Sequence, residues 1–132
     1  MKKIKTVAVL SISLAFCFIT PAKAQAPIAH KQIKISDSVF ALHQPKLYAK
    51  KILGANKIST ENYACLVKLW RNESHWNPKA DNPKSTAFGI GQLLNETSND
   101  SAKQIRNGIR YIIYRYGTPC KAWQFWQRHF WY

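Results

Sequence analysis

Leu69-Trp70-Arg71-Asn72-Glu73-Ser74-His75-Trp76-Asn77-Pro78 is where an apolar, aromatic-rich segment of this chain breaks into a polar loop. Upstream, Tyr63, Leu66, Val67 and Trp70 recur at helical spacing, and Ser59 or Thr60 is placed to cap that helix. Asn72 to Asn82 reads as the helix end and a loop, because Pro78, Pro83 and the Asn/Asp content oppose regular structure. A Gly-rich stretch with one amide side chain, Ala87-Phe88-Gly89-Ile90-Gly91-Gln92, follows downstream. The pairing sets a lone carboxylate, Glu73, against aromatic surface and beside a turn. Low-dielectric surroundings raise the pKa of such an acid, so that it holds its proton near neutrality and can donate it.

Working outward, every other element also reads as helix. Ser36 or Asp37 can cap a short helix through Val39, Phe40 and Leu42. Pro45 suits the first turn of another over Lys46 to Leu53, with Gly54 at its end. Ser101 to Tyr116 is the clearest helix: Ile105, Ile109, Ile112, Ile113 and Tyr116 form one apolar stripe, and Gly117 stops it. Thr118-Pro119 restarts a last helix with Ala122, Phe125 and Trp126. Gly89 to Asn95 reads as one or two helical turns. No period-two strand stands out, so the expected fold is all-α with little or no sheet.

The amino terminus reads as a targeting segment. Lys2, Lys3 and Lys5 precede an apolar run of 13 residues, Val7 to Ile19, too short to span a bilayer comfortably. Pro21-Ala22-Lys23-Ala24 supplies small residues at a cleavage site, so residues 1–24 are expected to be a signal peptide. Phe16 before Cys17 argues against lipid modification. Residues 25–44 read as a flexible lead-in and 45–132 as the domain. The expected destination is the periplasm or the medium, with no stable membrane anchor once the leader is removed.

The full chain carries a formal charge of +14; removing the four lysines of the leader leaves 16 basic residues against six acids. So basic a chain suits a polyanionic partner. The charges are scattered, with no tight Lys/Arg run, so an electrostatic tether to anionic envelope polymers is expected rather than a nucleic-acid site. Cys65 and Cys120 remain after export, and an even pair in a small exported domain suggests a disulfide. His30, His43, His75 and His129 are dispersed, so no metal site and no cofactor is expected.

The acids are Asp37, Glu61, Glu73, Asp81, Glu96 and Asp100. Glu61 suits the first turn of its helix, and Asp37 and Asp100 suit helix caps. Only Glu73 combines a helix end, flanking tryptophans and a nearby turn. From these features alone it reads equally as a catalytic acid or as an exposed helix-end glutamate.

Glu73-Ser74-x-Trp76-Asn77-Pro78, Ala80-Asp81-Asn82 and Gly89-Ile90-Gly91-Gln92-Leu93-Leu94 together resemble the lysozyme-like lytic transglycosylases, catalytic domains that cleave peptidoglycan strands. Cys65-Leu66-x-x-Leu69-Trp70, Arg115-Tyr116-Gly117-Thr118-Pro119 and Trp131-Tyr132 look like a small-domain branch of that family. The resemblance implies that Glu73 is the catalytic acid, with Ser74, Trp76, Asn82, Gly89, Gln92 and Leu94 around the substrate. Trp76 is expected either to stack on a sugar or to pack in the core. The implied partner is the peptidoglycan glycan strand, with an unidentified component of envelope machinery as a further one. The domain is expected to act as a monomer.

The chain departs from the pattern at three places. Asn82 stands where many relatives have serine, and Gly91 where many have Met or Pro. The Ala-Tyr-Asn element of larger members is absent; Tyr111, Tyr114 and Trp126 are candidates for orienting the glycan instead. Two other readings stay open. One is a muramidase that admits water, with Asp81 or Glu96 as its second carboxylate. The other is a cationic envelope-binding protein without chemistry. Amino-terminal sequencing of the exported protein should begin at Gln25; a mature chain beginning at Met1 would refute the leader.

Overall fold

Ser59 is extended, and its hydroxyl accepts from the Asn62 backbone N–H, starting the helix that carries Glu73. The structure is a computed structural model that describes residues 35–132. The leader, Cys17 and the first part of the lead-in lie outside the described residues. Helices α1 (Asp37–His43), α2 (Pro45–Ala55) and α3 (Thr60–Ser74) precede a short antiparallel pair, β1 (Ala87–Phe88) and β2 (Leu93–Leu94). Helices α4 (Ser101–Tyr116) and α5 (Pro119–His129) complete a mainly helical fold.

The caps explain the boundaries. Asp100 accepts from the Ala102 and Lys103 amides at the start of α4, as its position suggested. Thr118 caps α5, with Pro119 at a position where no amide is needed. Ser36, rather than Asp37, caps α1; the Asp37 carboxylate instead meets Lys51 Nζ at 3.0 Å and accepts from the Tyr48 hydroxyl. Gly54 lies inside α2, which runs on to Ala55.

Part of the stretch assigned to a flexible lead-in is ordered. Helix α1 packs on α2 and α4, buries Ala41 completely and is tied to the α4 cap by Ser38 Oγ, which donates to Asp100 at 2.9 Å. The domain therefore begins before residue 45. A seven-residue helix with one fully buried alanine has little pattern of its own; the packing decides it.

Trp70 is fully buried at the centre of the core. It packs edge-on to Trp76, ring centroids 5.0 Å apart, and lies against α4 at Gly108. A Cβ on Gly108 would come within 2.6 Å of the Trp70 ring, so the helix approach demands glycine there despite its cost in a helix interior. Ile105, Ile109 and Ile112 of the expected α4 stripe are buried as read, whereas Ile113 is partly exposed.

Gly89 to Asn95 is not helical. Gly89 and Gln92 have φ of 77° and 48°, and the Gln92 amide donates to Gly89 O across a tight turn between β1 and β2. Each strand has two residues, too few for an alternating pattern to show in sequence.

Cys65 and Cys120 form the expected disulfide, joining α3 to the first turn of α5 with Cα atoms 4.9 Å apart. The Asn62 side chain reinforces the junction by accepting from the Cys120 amide at 3.1 Å. The bridge closes a loop of 55 residues, for which the chain-entropy model gives about 4 kcal/mol. Reduction should therefore lower the melting temperature of the protein clearly, and the unreduced protein should show no free thiol from this pair. Two titratable thiols without reductant would contradict the bridge.

Candidate active site

Glu73 occupies the last turn of α3, and the chain reverses directly behind it. His75 and Trp76 both adopt left-handed backbone, φ 55° and 66°, which non-glycine residues seldom occupy. Their amides return to Arg71 O and Trp70 O, and the Trp70–Trp76 packing holds the reversal in place. The strain is stored beside the acid, where the tertiary contacts over-determine it.

The Glu73 carboxyl is half-buried, and its Oε1 is buried with no hydrogen-bond partner. Burial pushes its pKa from 4.5 up to about 7; the Trp126 indole beside it offsets part of that rise. Neither Asp81 nor Glu96 contributes to the shift. Glu96 spends one carboxylate oxygen on the Ser98 amide and the other on Asn107 Nδ2. Asp81 is exposed, in an isolated bridge to Phe88.

Burial, above all, holds the Tyr116 and Tyr132 hydroxyls above the ordinary tyrosine range, and the Glu73 charge adds to it. The Tyr116 hydroxyl is also buried without a hydrogen bond. Orphaned buried polar atoms are uncommon and call for an explanation; two of the three among the described residues, Glu73 Oε1 and Tyr116 Oη, are electrostatic neighbours. Tyr132 is the opposite case. Its hydroxyl accepts from Trp70 Nε1 at 2.9 Å and donates to Gly91 O at 2.5 Å, joining the core tryptophan to the turn.

The turn wall is anchored through one residue, Ile90. Ser74 Oγ, next to Glu73, donates to Ile90 O at 2.6 Å. Gln104 Oε1 accepts from Ile90 N at 3.0 Å, while Gln104 Nε2 donates to Pro78 O and Ser98 O. Gly89 packs on that same Gln104: an added Cβ would meet its amide at 2.5 Å. Serine and glycine are thus required, and their contacts are with the protein.

The remaining expected residues divide. Gln92 and Leu94 line a groove of about 300 Å³ with Leu93, Tyr111, Arg115, Trp131 and Tyr132. Leu94 is well exposed there. The Gln92 amide nitrogen donates to Ala80 O and Gly89 O, so its donors serve the turn. Trp76 is 5% exposed and donates to Val67 O; of its two expected roles the structure assigns packing, because no ring face is free for a sugar. Asn82 is exposed and accepts from the Lys84 amide within its own turn, away from any shared contact with Glu73. Among the glycan-orienting candidates, Tyr114 is 91% exposed and faces a different groove, Tyr111 lines the one described, and Trp126 adjoins Glu73.

Gln104 was missed in the sequence reading. Its signal was available: it stands four residues before Gly108 and eight before Ile112, a polar residue on the buried face of α4. Tyr116 was read as part of the apolar stripe, and only its position beside Glu73 reveals its polar end.

Comparison with the curated proteins and with the solved structures returned no match. A protein-family model, the transglycosylase SLT domain, matches residues 51–125, more than half of the chain and the whole span from the end of α2 into α5. Glu73, the half-buried acid in the last turn of α3, and the turn pinned by Ser74 and Gln104 lie inside that match, and the chain belongs to the transglycosylase SLT domain family.

Proposed function

We propose that the protein is a peptidoglycan lytic transglycosylase whose catalytic acid is Glu73. Family membership supports a transglycosylase-type function on peptidoglycan. The observation that carries the finer reading is that Glu73 alone combines a desolvated carboxyl, an unpartnered oxygen and a pKa of about 7. At pH 7 about half the molecules then hold the proton, against roughly one in 300 for a carboxyl left at its ordinary value.

Glu73 donates that proton to the oxygen linking muramic acid to glucosamine as the bond from the anomeric carbon breaks. The 6-hydroxyl of the same muramic acid attacks the anomeric carbon, and Glu73, now a carboxylate, takes its proton. Atoms and charge balance, no water is consumed, and the product is a 1,6-anhydro sugar. An intramolecular nucleophile is already in place, which removes the need for a second carboxylate. The commitments of Glu96 and the exposure of Asp81 favour this route over two-carboxylate hydrolysis. The basic charge suits an anionic polymer, and the leader-like amino terminus suits action in the periplasm or outside the cell.

Glu73→Gln should lower turnover by roughly 10²–10⁴-fold while retaining peptidoglycan binding. Mass analysis of muropeptides from purified sacculi should show 1,6-anhydromuramyl ends with the native protein and none with the variant. Asp81→Asn and Glu96→Gln should keep most activity. Reducing ends lost in either of these two would instead establish a muramidase, and binding without any cleavage would establish a non-catalytic wall-binding protein.

The pH dependence has a defined sign. Turnover needs protonated Glu73, so kcat/KM should fall about tenfold per unit above pH 7. Stability moves in the same direction. Below pH 4.5 the carboxyl is protonated whether folded or unfolded. Between 4.5 and about 7 the unfolded chain ionises first, so folding loses free energy as pH rises, and above 7 the loss is complete. Glu73→Gln removes that loss. The variant's gain in melting temperature should be small at pH 4 and grow up to pH 7; a gain that does not change with pH would contradict the buried-acid account.

A further inference from the structure

Arg115 lies in the last turn of α4, where a cation complements the negative helix end. Its guanidinium makes a different set of contacts. Nη1 donates to the Tyr111 hydroxyl at 2.7 Å, and the group lies over the rings of Tyr111, Tyr116 and Trp131 at 5.8, 5.4 and 5.2 Å. Three aromatic faces therefore hold the fork in place. No carboxylate pairs with it among the described residues, where the one ion pair is Lys51–Asp37. The Arg115 side chain is exposed on the groove formed with Gln92, Leu93, Leu94 and Tyr132, and that groove has no acid in its lining.

The groove is tied to the acid-bearing helix. Its Gln92–Leu94 wall follows Ile90, whose carbonyl accepts from Ser74 Oγ beside Glu73, and its Tyr132 hydroxyl links Gly91 O to Trp70 Nε1 of α3. Arg115 forms no ion pair with Glu73. A guanidinium fixed by aromatic faces, with most of its donors unused, is a receptor for a planar carboxylate.

We infer that Arg115 is a specificity-determining residue, receiving a carboxylate carried on the muramic acid side chain while Glu73 acts on the adjoining glycosidic bond. The inference rests on the transglycosylase reading of Glu73. The carboxylate has two possible sources, the lactyl group of a strand stripped of peptide or the stem peptide itself.

Binding by Glu73→Gln protein, which should not turn strands over, separates the sources. The probes are peptide-bearing strands, peptide-free strands with free lactyl groups, and each of these with its carboxylates capped as methylamides. Capping the group that Arg115 reads should weaken binding about 10–100-fold, the scale of one charged hydrogen-bonded contact. A loss on capping peptide-free strands identifies the lactyl source; a loss confined to capped peptide-bearing strands identifies the peptide. Adding Arg115→Met should abolish the discrimination. Arg110→Met, which removes an equal charge from a different groove, should preserve it and so controls for bulk attraction. Equal binding of capped and uncapped strands would overturn the inference. So would discrimination that survives Arg115→Met, or that Arg110→Met erases as fully. Native protein that yields no anhydro ends would overturn the transglycosylase reading instead, and the binding comparison would still decide whether Arg115 reads a carboxylate.

Discussion

Ile90 is gripped at both ends of its backbone. Ser74 Oγ holds its carbonyl and Gln104 Oε1 holds its amide, while the Ile90 side chain is completely buried. This double clasp sets the distance between the acid-bearing end of α3 and the glycine turn opposite. Both clasping side chains are buried, and every polar atom of the Gln104 amide is used, so the arrangement cannot slacken without leaving unpaired groups out of water. Around it, Trp70 packs into the gap left by Gly108 and donates from its indole nitrogen to the Tyr132 hydroxyl. The disulfide fastens α5 from the far side, and α5 carries Trp126 to Glu73.

That frame sets the surroundings of one carboxyl. An exposed glutamate would lose its proton far below neutrality. Here desolvation outweighs the Trp126 indole, and no nearby cation reverses the effect. The Arg115 guanidinium is held over the Tyr111, Tyr116 and Trp131 rings and forms no ion pair with Glu73. The separation matters, because a cation in contact with Glu73 would pull its pKa back down and remove the acid.

Local chemistry made much of the fold legible. The stripe from Ile105 to Ile112, the caps at Ser59, Asp100 and Thr118, the stop at Gly117 and the proline at the start of α5 are short-range signals, and each element formed where they stand. The 89–95 segment was misread as helix because glycine and small residues are compatible with several conformations. Only the hydrogen bonds to 80–82 and across the turn select the hairpin. The site divides along the same line. Glu73 was legible as a candidate acid because a single carboxylate stood between tryptophans at a helix end, and Gln92 and Leu94 do line the groove. The buried Trp76 and the fully used Gln104 amide were not, since burial and hydrogen-bond pairing depend on residues distant in the chain.

The sequence by itself determined the helical class, the pairing of two cysteines and the identity of the candidate acid. Those follow from periodicity, from residue counts and from a motif contained in a few adjacent positions. Tertiary structure alone decided that Trp76 packs rather than faces the groove, that Gly108 exists for Trp70, that α1 belongs to the domain, and that Arg115 sits in an aromatic cradle on the groove. The physical reason is that desolvation, close packing and cation–aromatic contact are properties of surfaces brought together across long stretches of chain. A sequence specifies them only through the complete fold.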